Sequence, residues 1–164
     1  MKYIAENLII PQDKRAEINN KILYLIDNGI TEENGITATD IANSYTGDGG
    51  LSGEKFEDYG NYHDYSEAKK EFEQGQFFTQ YAITDFVMKC LNPNKFDIIM
   101  DLTFGHGAFI NSVPQENNFY GCEIDMKSYK VAKFLYPKAN IQCGDIRTYN
   151  PEIRADVIVG NPPF

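Results

Sequence analysis

The chain has 164 residues, 42% of them hydrophobic and 13% aromatic, which is enough for one packed domain with an appendage. Its net charge of −9 is uneven: residues 1–75 hold 7 Lys and Arg against 15 Asp and Glu, whereas residues 76–164 hold 8 against 9. That balance argues against a stand-alone nucleic-acid binder, because affinity for a phosphate backbone comes mainly from Lys and Arg. Cys90, Cys122 and Cys143 form no C-x-x-C pair, and His63 and His106 are the two histidines, so a zinc site is not expected. The apolar settings of the three cysteines read as buried free thiols in a reducing compartment. The N-terminus is too polar for a signal peptide and no run approaches 18 apolar residues, so a soluble, cytoplasmic protein without a membrane partner is expected.

After Pro11, residues Ile18, Ile22, Leu25 and Ile26 fall at helical spacing, predicting an amphipathic helix over 13–28 that Gly29 stops. Thr37 and Asp40 match a capping box for a short helix through about Tyr45. The stretch TGDGGLSG, residues 46–53, lacks the Lys-Ser/Thr of a phosphate loop and follows no strand, so it reads as a flexible connector. Tyr59, Tyr62, His63 and Tyr65 could form a binding surface; the plainer reading is an irregular segment whose rings cover the neighbouring domain. Ser66 is placed to cap a helix through Glu73 that Gly75 ends. In GQFFTQ, residues 75–80, Thr79 stands at an N-cap position. Beyond it, Ile83, Phe86, Val87, Cys90 and Leu91 recur as one apolar helical face.

From Phe96 the pattern alternates strand and helix. Phe96 to Met100 reads as a buried strand ending at Asp101, followed by the turn LTFGHG and a helix from Gly107 to Val113 that Pro114 stops. Phe119 to Glu123 is a second strand. Asp125 caps a helix over Met126 to Tyr136, residues 140–143 form a third strand, and residues 155–160 a fourth. This order predicts an α/β fold: a parallel sheet of about four strands with flanking helices, preceded by a helical N-terminal region.

In such a sheet the ligand lies beyond the carboxyl ends of the strands. The first strand ends at Asp101 and spaced glycines, the second at Glu123, the third at Asp145 and the fourth at Asn161-Pro162-Pro163-Phe164. A carboxylate about 20 residues past the glycines is positioned for ribose hydroxyls. An ionised Asp after the third strand is acceptor-only and suits an adenine amino group. Singly, each acid also reads as a helix cap or surface charge; in combination with NPPF that reading fails. Ile110 stands where a G-x-G-x-x-G dinucleotide turn has its third glycine, which weakens a nicotinamide reading.

These residues carry a family resemblance. GQFFTQ, DLTFGHG, CEID, GDI and NPPF, in that order across residues 75–164, resemble the motifs of S-adenosylmethionine-dependent N6-adenine DNA methyltransferases of the gamma arrangement, notably the modification subunits of type I restriction systems. The resemblance implies a partial Rossmann-like methyltransferase fold, with residues 1–74 an acidic helical region and residues 75–164 the N-terminal half of the cofactor-binding domain. It implies that Phe78 and Thr79 contact the methionine end of S-adenosylmethionine and that Asp101, Thr103, Gly105 and Gly107 shape the pocket around that end. Glu123 would bind ribose, Ile124 and Ile146 would sandwich the adenine ring, and Asp145 would take its amino group. Gln80 and Leu102 stand where the family has proline, a departure expected to loosen the pocket without deleting a contact atom.

NPPF has its own chemical logic. The lone pair of an exocyclic amino group on a purine is delocalised into the ring, so the nitrogen is a poor nucleophile. Acceptors on its hydrogens, the Asn161 side-chain oxygen and the Pro162 carbonyl, favour a pyramidal nitrogen aimed at the methyl donor. Pro162 and Pro163 stiffen the loop, and Phe164 can stack on a base rotated out of its duplex. The same problem arises for a protein glutamine amide, whose methyltransferases use N-P-P-Y; Phe164 and the GQFFT segment favour DNA. A third reading is a non-catalytic S-adenosylmethionine-binding or docking module, with residues 1–74 engaging a specificity or restriction subunit. The family's sheet and DNA-recognition region continue past this point. The chain is therefore expected to be an incomplete fragment with the cofactor half-site, to reach double-stranded DNA only through regions or subunits outside it, and to self-associate at the open sheet edge.

Overall fold

The computed structural model of the protein describes residues 2–3, 10–29, 35–47, 56–73, 76–113 and 115–163. The glycine-rich stretch beyond Gly47, the helix stops at Gly75 and Pro114, and Phe164 lie outside the described residues. β-branched and apolar runs form four strands, β1 (Ile99–Asp101), β2 (Phe119–Glu123), β3 (Asn140–Cys143) and β4 (Val157–Val159), each where alternation predicts one. All pair in parallel, in the order β3-β2-β1-β4. Ile99 sits opposite Phe119 and Val157, and Asp101 opposite Gly121 and Val159, so the carboxyl ends of β1, β2 and β4 lie side by side. The chain steps outward from β1 to β3 and then returns to the other flank of β1. The topological switch point therefore lies between β1 and β4.

Five helices accompany the sheet: α1 (Gln12–Asn28), α2 (Ala38–Ser44), α3 (Tyr62–Glu73), α4 (Tyr81–Leu91) and α5 (Met126–Leu135). Gly29 closes α1 with its amide on the Ile26 carbonyl, and Asp27 pairs with Lys130 of α5 at 2.8 Å. α2 has the expected capping box: Thr37 Oγ1 accepts from the Asp40 amide and Asp40 Oδ2 from the Thr37 amide, at 3.2 and 2.7 Å. α5 is capped by Asp125, whose carboxylate accepts from the Ser128 amide at 2.8 Å. Ile22 of α1 and Ile41 and Tyr45 of the α2 region share one core with Ile99, Phe119, Val131 and Leu135. The second residue in the chain donates its amide to the Asn111 carbonyl, and Tyr3 exchanges backbone hydrogen bonds with the buried Asn111 side chain.

Five local expectations are corrected. Gly107 to Val113 is a run of turns ending in a 3-10 helix, Ile110–Ser112. A window that Pro114 closes so soon is too short to repay helix nucleation, and its Asn111 is committed to Tyr3. α3 starts at Tyr62, before Ser66, because Asn61 Oδ1 caps the Asp64 amide at 3.0 Å. The aromatic segment is therefore regular in part, and Phe56, Tyr59, Tyr62 and Tyr65 pack on one another. α4 begins after Gln80, one residue beyond Thr79; Gln80 has φ −61°, the angle a proline would impose, and no side-chain cap bond. Of the cysteines, Cys122 is buried, whereas Cys143 is half-buried and Cys90 exposed; all three are free thiols.

The fifth correction concerns which face of α4 is covered. Tyr81, Thr84 and Met88 are buried. Tyr81 Oη donates to the Ala42 carbonyl and Thr84 Oγ1 to the Ala108 carbonyl, both at 3.1 Å. Those two bonds fix the helix with the row Ile83, Phe86 and Leu91 outward, at 52%, 68% and 46% exposure, and only Val87 of the predicted stripe packs on the core. Ile158 of the flanking strand β4 is likewise exposed. Periodicity identifies an apolar stripe but not which neighbour meets it. Chemical denaturation is expected to separate the two faces: Met88→Ala should cost about 2–4 kcal/mol, and Phe86→Ser less than about 0.5 kcal/mol.

Candidate cofactor site at the strand ends

The backbone leaves β1 at Asp101 and crosses above β2. Phe104 donates its amide to the Cys122 carbonyl at 3.0 Å and drops its ring against Gly121, where a Cβ would stand 2.4 Å from it. A side chain at 121 would therefore lift the turn off the sheet. Gly105 then donates its amide to Glu123 Oε2 at 2.6 Å. Gly107 has φ 93°, and a Cβ there would meet the buried Tyr136 ring at 2.5 Å, so conformation and space both require glycine.

The turn, the β2 and β3 exits and the residues after β4 enclose a cleft of about 620 Å³, within the size range of small-molecule sites. Its lining includes Phe78, Thr103, Gly105, Glu123, Ile124, Ile146, Asn161, Pro162 and Pro163 from the sequence-predicted set. A recess of about 30 Å³ adjoins it, sharing Phe78, Thr103, Gly105 and Asn161 and adding Thr79 and Asp101. Gly107 supports the turn from behind, against Tyr136. Asp145 does not line either space, although its neighbours Gly144 and Ile146 do. Its carboxylate is forked onto Arg147, with Nη2–Oδ2 at 2.5 Å, which holds its pKa down to about 2. Phe164 lies outside the described residues.

Several lining residues carried no signal in the motif pattern. Phe77 exposes half its ring at the cleft and its carbonyl accepts from Asn161 Nδ2 at 3.1 Å. Gln76 and Met126 also line the cleft, beside Leu102 at the position where the family has proline, and His106 and Phe109 line the recess. Phe77 was legible as the first ring of FF, but nothing in spacing distinguishes it from Phe78.

The electrostatics follow from burial. Asp101 is 2% exposed, and its Oδ1 accepts from the Thr103 amide at 2.9 Å. Loss of water pushes its pKa up to about 7 against the lowering effect of the Thr103 bonds, and the nearby Glu123 charge adds to the rise. Glu123 is raised for the same first reason, opposed by the amides of Asp125 and Gly105. Two carboxyls held above their ordinary range, Asp101 in the recess and Glu123 in the adjoining cleft, favour a ligand that brings positive charge or hydroxyl donors. Exposed Ile124 and Ile146 supply apolar plates for a flat ring. Among the described residues no three His, Cys, Asp or Glu side chains gather as a metal site would, and no helix is long and apolar enough to cross a membrane.

A parallel sheet with a switch point beside β1, a glycine turn and acidic strand ends defines the Rossmann-like α/β class that methyltransferases use. The family model described as N-6 DNA Methylase matches residues 61–164, and the chain belongs to that family. Type II methyltransferase M.CvrRI of Paramecium bursaria Chlorella virus XZ-6E is 32% identical over 99 residues, covering 58% of this chain and 26% of the viral protein. The chain thus spans about a quarter of that relative's length. Among solved structures, a modification subunit assigned to a type I restriction enzyme of Vibrio vulnificus YJ016 aligns with TM-score 0.44 and 17% identity, over 69% of this chain and 31% of that one. A protein assigned as an RNA methyltransferase of Pyrococcus horikoshii aligns with TM-score 0.44 and 20% identity, over 54% and 49%.

The raised pKa of Asp101 has a measurable sign. The native state keeps a proton that the unfolded chain releases between about pH 4 and 7, so this residue's contribution to stability is full at low pH and is lost as pH rises through 7. Asp101→Asn retains an acceptor for Thr103 and cannot ionise. Denaturation at pH 5 and pH 8 should show the difference between variant and wild type moving in the variant's favour by about 1–3 kcal/mol at the higher pH. A gap that does not change with pH contradicts the buried-carboxyl assignment.

Proposed function

We propose that this chain forms the S-adenosylmethionine-binding half-site of an adenine-specific DNA methyltransferase of a restriction-modification system. The observation that carries the reading is that Asp101 in the recess and Glu123 in the adjoining cleft, from two neighbouring strand ends, are joined by Asn161, which lines both spaces. The fit to the cofactor is chemical. Glu123 spends one lone pair on each of two backbone amides, and a carboxylate has about four such sites, so it can still accept from ribose hydroxyls. Ile124 and Ile146 line the cleft with exposed apolar side chains and are assigned the two faces of the adenine ring. Asp101, with Phe78, Thr79 and Thr103, forms an acidic and aromatic end suited to an amino-acid ammonium. Asp145 is assigned the adenine amino group, a role in which it would share its carboxylate with Arg147.

When bound, S-adenosylmethionine supplies an electrophilic methyl group on sulfur. The chain's own contribution is placement of the nucleophile. Asn161 donates its amide N–H to the Phe77 carbonyl, which turns the Oδ1 acceptor to serve the substrate. That oxygen and the Pro162 carbonyl accept the two amino hydrogens of adenine, and the nitrogen lone pair is aimed along the line of transfer. The cofactor, held by Phe78, Thr79 and Asp101 at its amino-acid end, would supply the methyl group and keep the sulfur, while Asn161 and Pro162 would hold the two amino hydrogens, one of which would leave to solvent as a proton. Double-stranded DNA and a specificity or restriction subunit are the proposed partners. With a net charge of −9, the chain depends on other protein surface for the phosphate contacts.

Titration calorimetry and thermal melts test the half-site. S-Adenosylmethionine should bind with a dissociation constant on the order of 1–100 µM and raise the melting temperature. Ile124→Ser changes a side chain that is 73% exposed, so it should leave the fold intact and weaken binding about fivefold or more. The absence of both heat and thermal shift at millimolar cofactor would refute the reading.

A further inference from the structure

Phe77 is 54% exposed, whereas Phe104, Phe109 and Phe119 are each 7% exposed or less. An aromatic ring left in water forgoes the gain of burial, so its place at the site calls for a partner. Five residues line both the cleft and the recess: Phe77, Phe78, Thr103, Gly105 and Asn161. They form the border between the two spaces, with Glu123 in the cleft on one side and Asp101 in the recess on the other. None of the five carries a charge. Two carry rings, and that of Phe78 is already engaged, stacked on Tyr45 at 5.9 Å and 4.4 Å from His106 between centroids. Phe77 is anchored instead through its main chain, its carbonyl accepting from Asn161 Nδ2 at 3.1 Å. That bond holds Phe77 at the border and leaves the ring exposed there.

A methyl donor with its ribose on Glu123 and its amino-acid end beside Asp101 has its sulfur between the two, at this border. The sulfur of S-adenosylmethionine is positive, and the face of an aromatic ring attracts a cation through its quadrupole. We propose that Phe77 is a cofactor-contacting residue that distinguishes the charged donor from its spent product. Its ring meets the sulfonium of S-adenosylmethionine and has no such attraction for the neutral thioether of S-adenosylhomocysteine. This assignment rests on the S-adenosylmethionine reading above and adds to it a contact that neither the glycine turn nor the acidic strand ends supply. It also gives one residue two duties. The main chain of Phe77 turns Asn161 toward the amino group to be methylated, and its side chain holds the donor's charge, an attraction that disappears once the methyl group has been transferred.

Calorimetry with three ligands separates this contact from simple packing. S-Adenosylmethionine carries a sulfonium, sinefungin carries a protonated amine in its place, and S-adenosylhomocysteine is uncharged at that position. Phe77→Leu keeps apolar bulk and the carbonyl that holds Asn161 but removes the aromatic face. It should weaken S-adenosylmethionine and sinefungin about fivefold and leave S-adenosylhomocysteine within about 1.5-fold. Mono- and trifluorinated phenylalanine placed at position 77 keep the ring's shape while draining its negative face, so they give an answer even where the leucine variant does not fold. Affinity for the two cations should fall stepwise with fluorination, and affinity for S-adenosylhomocysteine should stay constant. Equal weakening of all three ligands, or an S-adenosylmethionine affinity unchanged across the variants, would overturn the proposal while leaving the half-site standing. Failure of the wild type to bind any of the three would refute the half-site and this contact with it.

Discussion

Glu123 accepts the Gly105 amide at 2.6 Å and the Asp125 amide at 2.8 Å through its two side-chain oxygens, and its own carbonyl accepts from the Gly144 amide at 2.9 Å. The turns after β1, β2 and β3 are therefore held in one frame by one residue. The frame works only because Gly121 lets Phe104 lie flat on β2 and Gly107 lets the chain turn over Tyr136. Removing the carboxylate would leave two inward-pointing amides without an acceptor, so the residue proposed to bind ribose also builds the turn that faces it. Its place in that frame buries it, and burial raises its pKa against the lowering effect of the two amides.

The helices before the sheet are built into the same frame. Tyr45 follows α2, stacks on Phe78 at 5.9 Å and belongs to the core that holds Ile99 and Phe119. Tyr81 reaches back to Ala42, and Tyr3 is bound through Asn111 to the segment just after the turn. Shifts in the N-terminal elements would thus reach Phe78 and His106 through packed rings. At the opposite side of the cleft, Asn161 is tied to Phe77, so the segment before α4 and the residues after β4 meet across its mouth.

Much of this was legible in the sequence. Strand positions followed from β-branched runs bounded by Gly, Asp and Pro, and the parallel order followed from alternation with helices; the caps at Thr37 and Asp125 were readable because their partners are three residues away. What was not legible depended on distant partners. The α4 stripe gave the helix, but Thr84 and Tyr81 decide which face is covered, through Ala108 and Ala42. The short segment after Gly107 has helical residues, yet Asn111 is claimed by Tyr3, over a hundred positions earlier. At the site, order and spacing named the residues of the strand ends. They could not show that Arg147 engages Asp145, that Phe77 orients Asn161, or that His106 has a buried nitrogen with no partner.

A crystal structure of the chain with S-adenosylhomocysteine bound tests the account most directly. The ligand should lie across the carboxyl ends of β1, β2 and β3, its ribose on the Glu123 carboxylate, its adenine between Ile124 and Ile146, and its amino-acid end in the recess beside Asp101. Density for the ligand elsewhere on the chain, or in this cleft with the ribose away from Glu123, would contradict it.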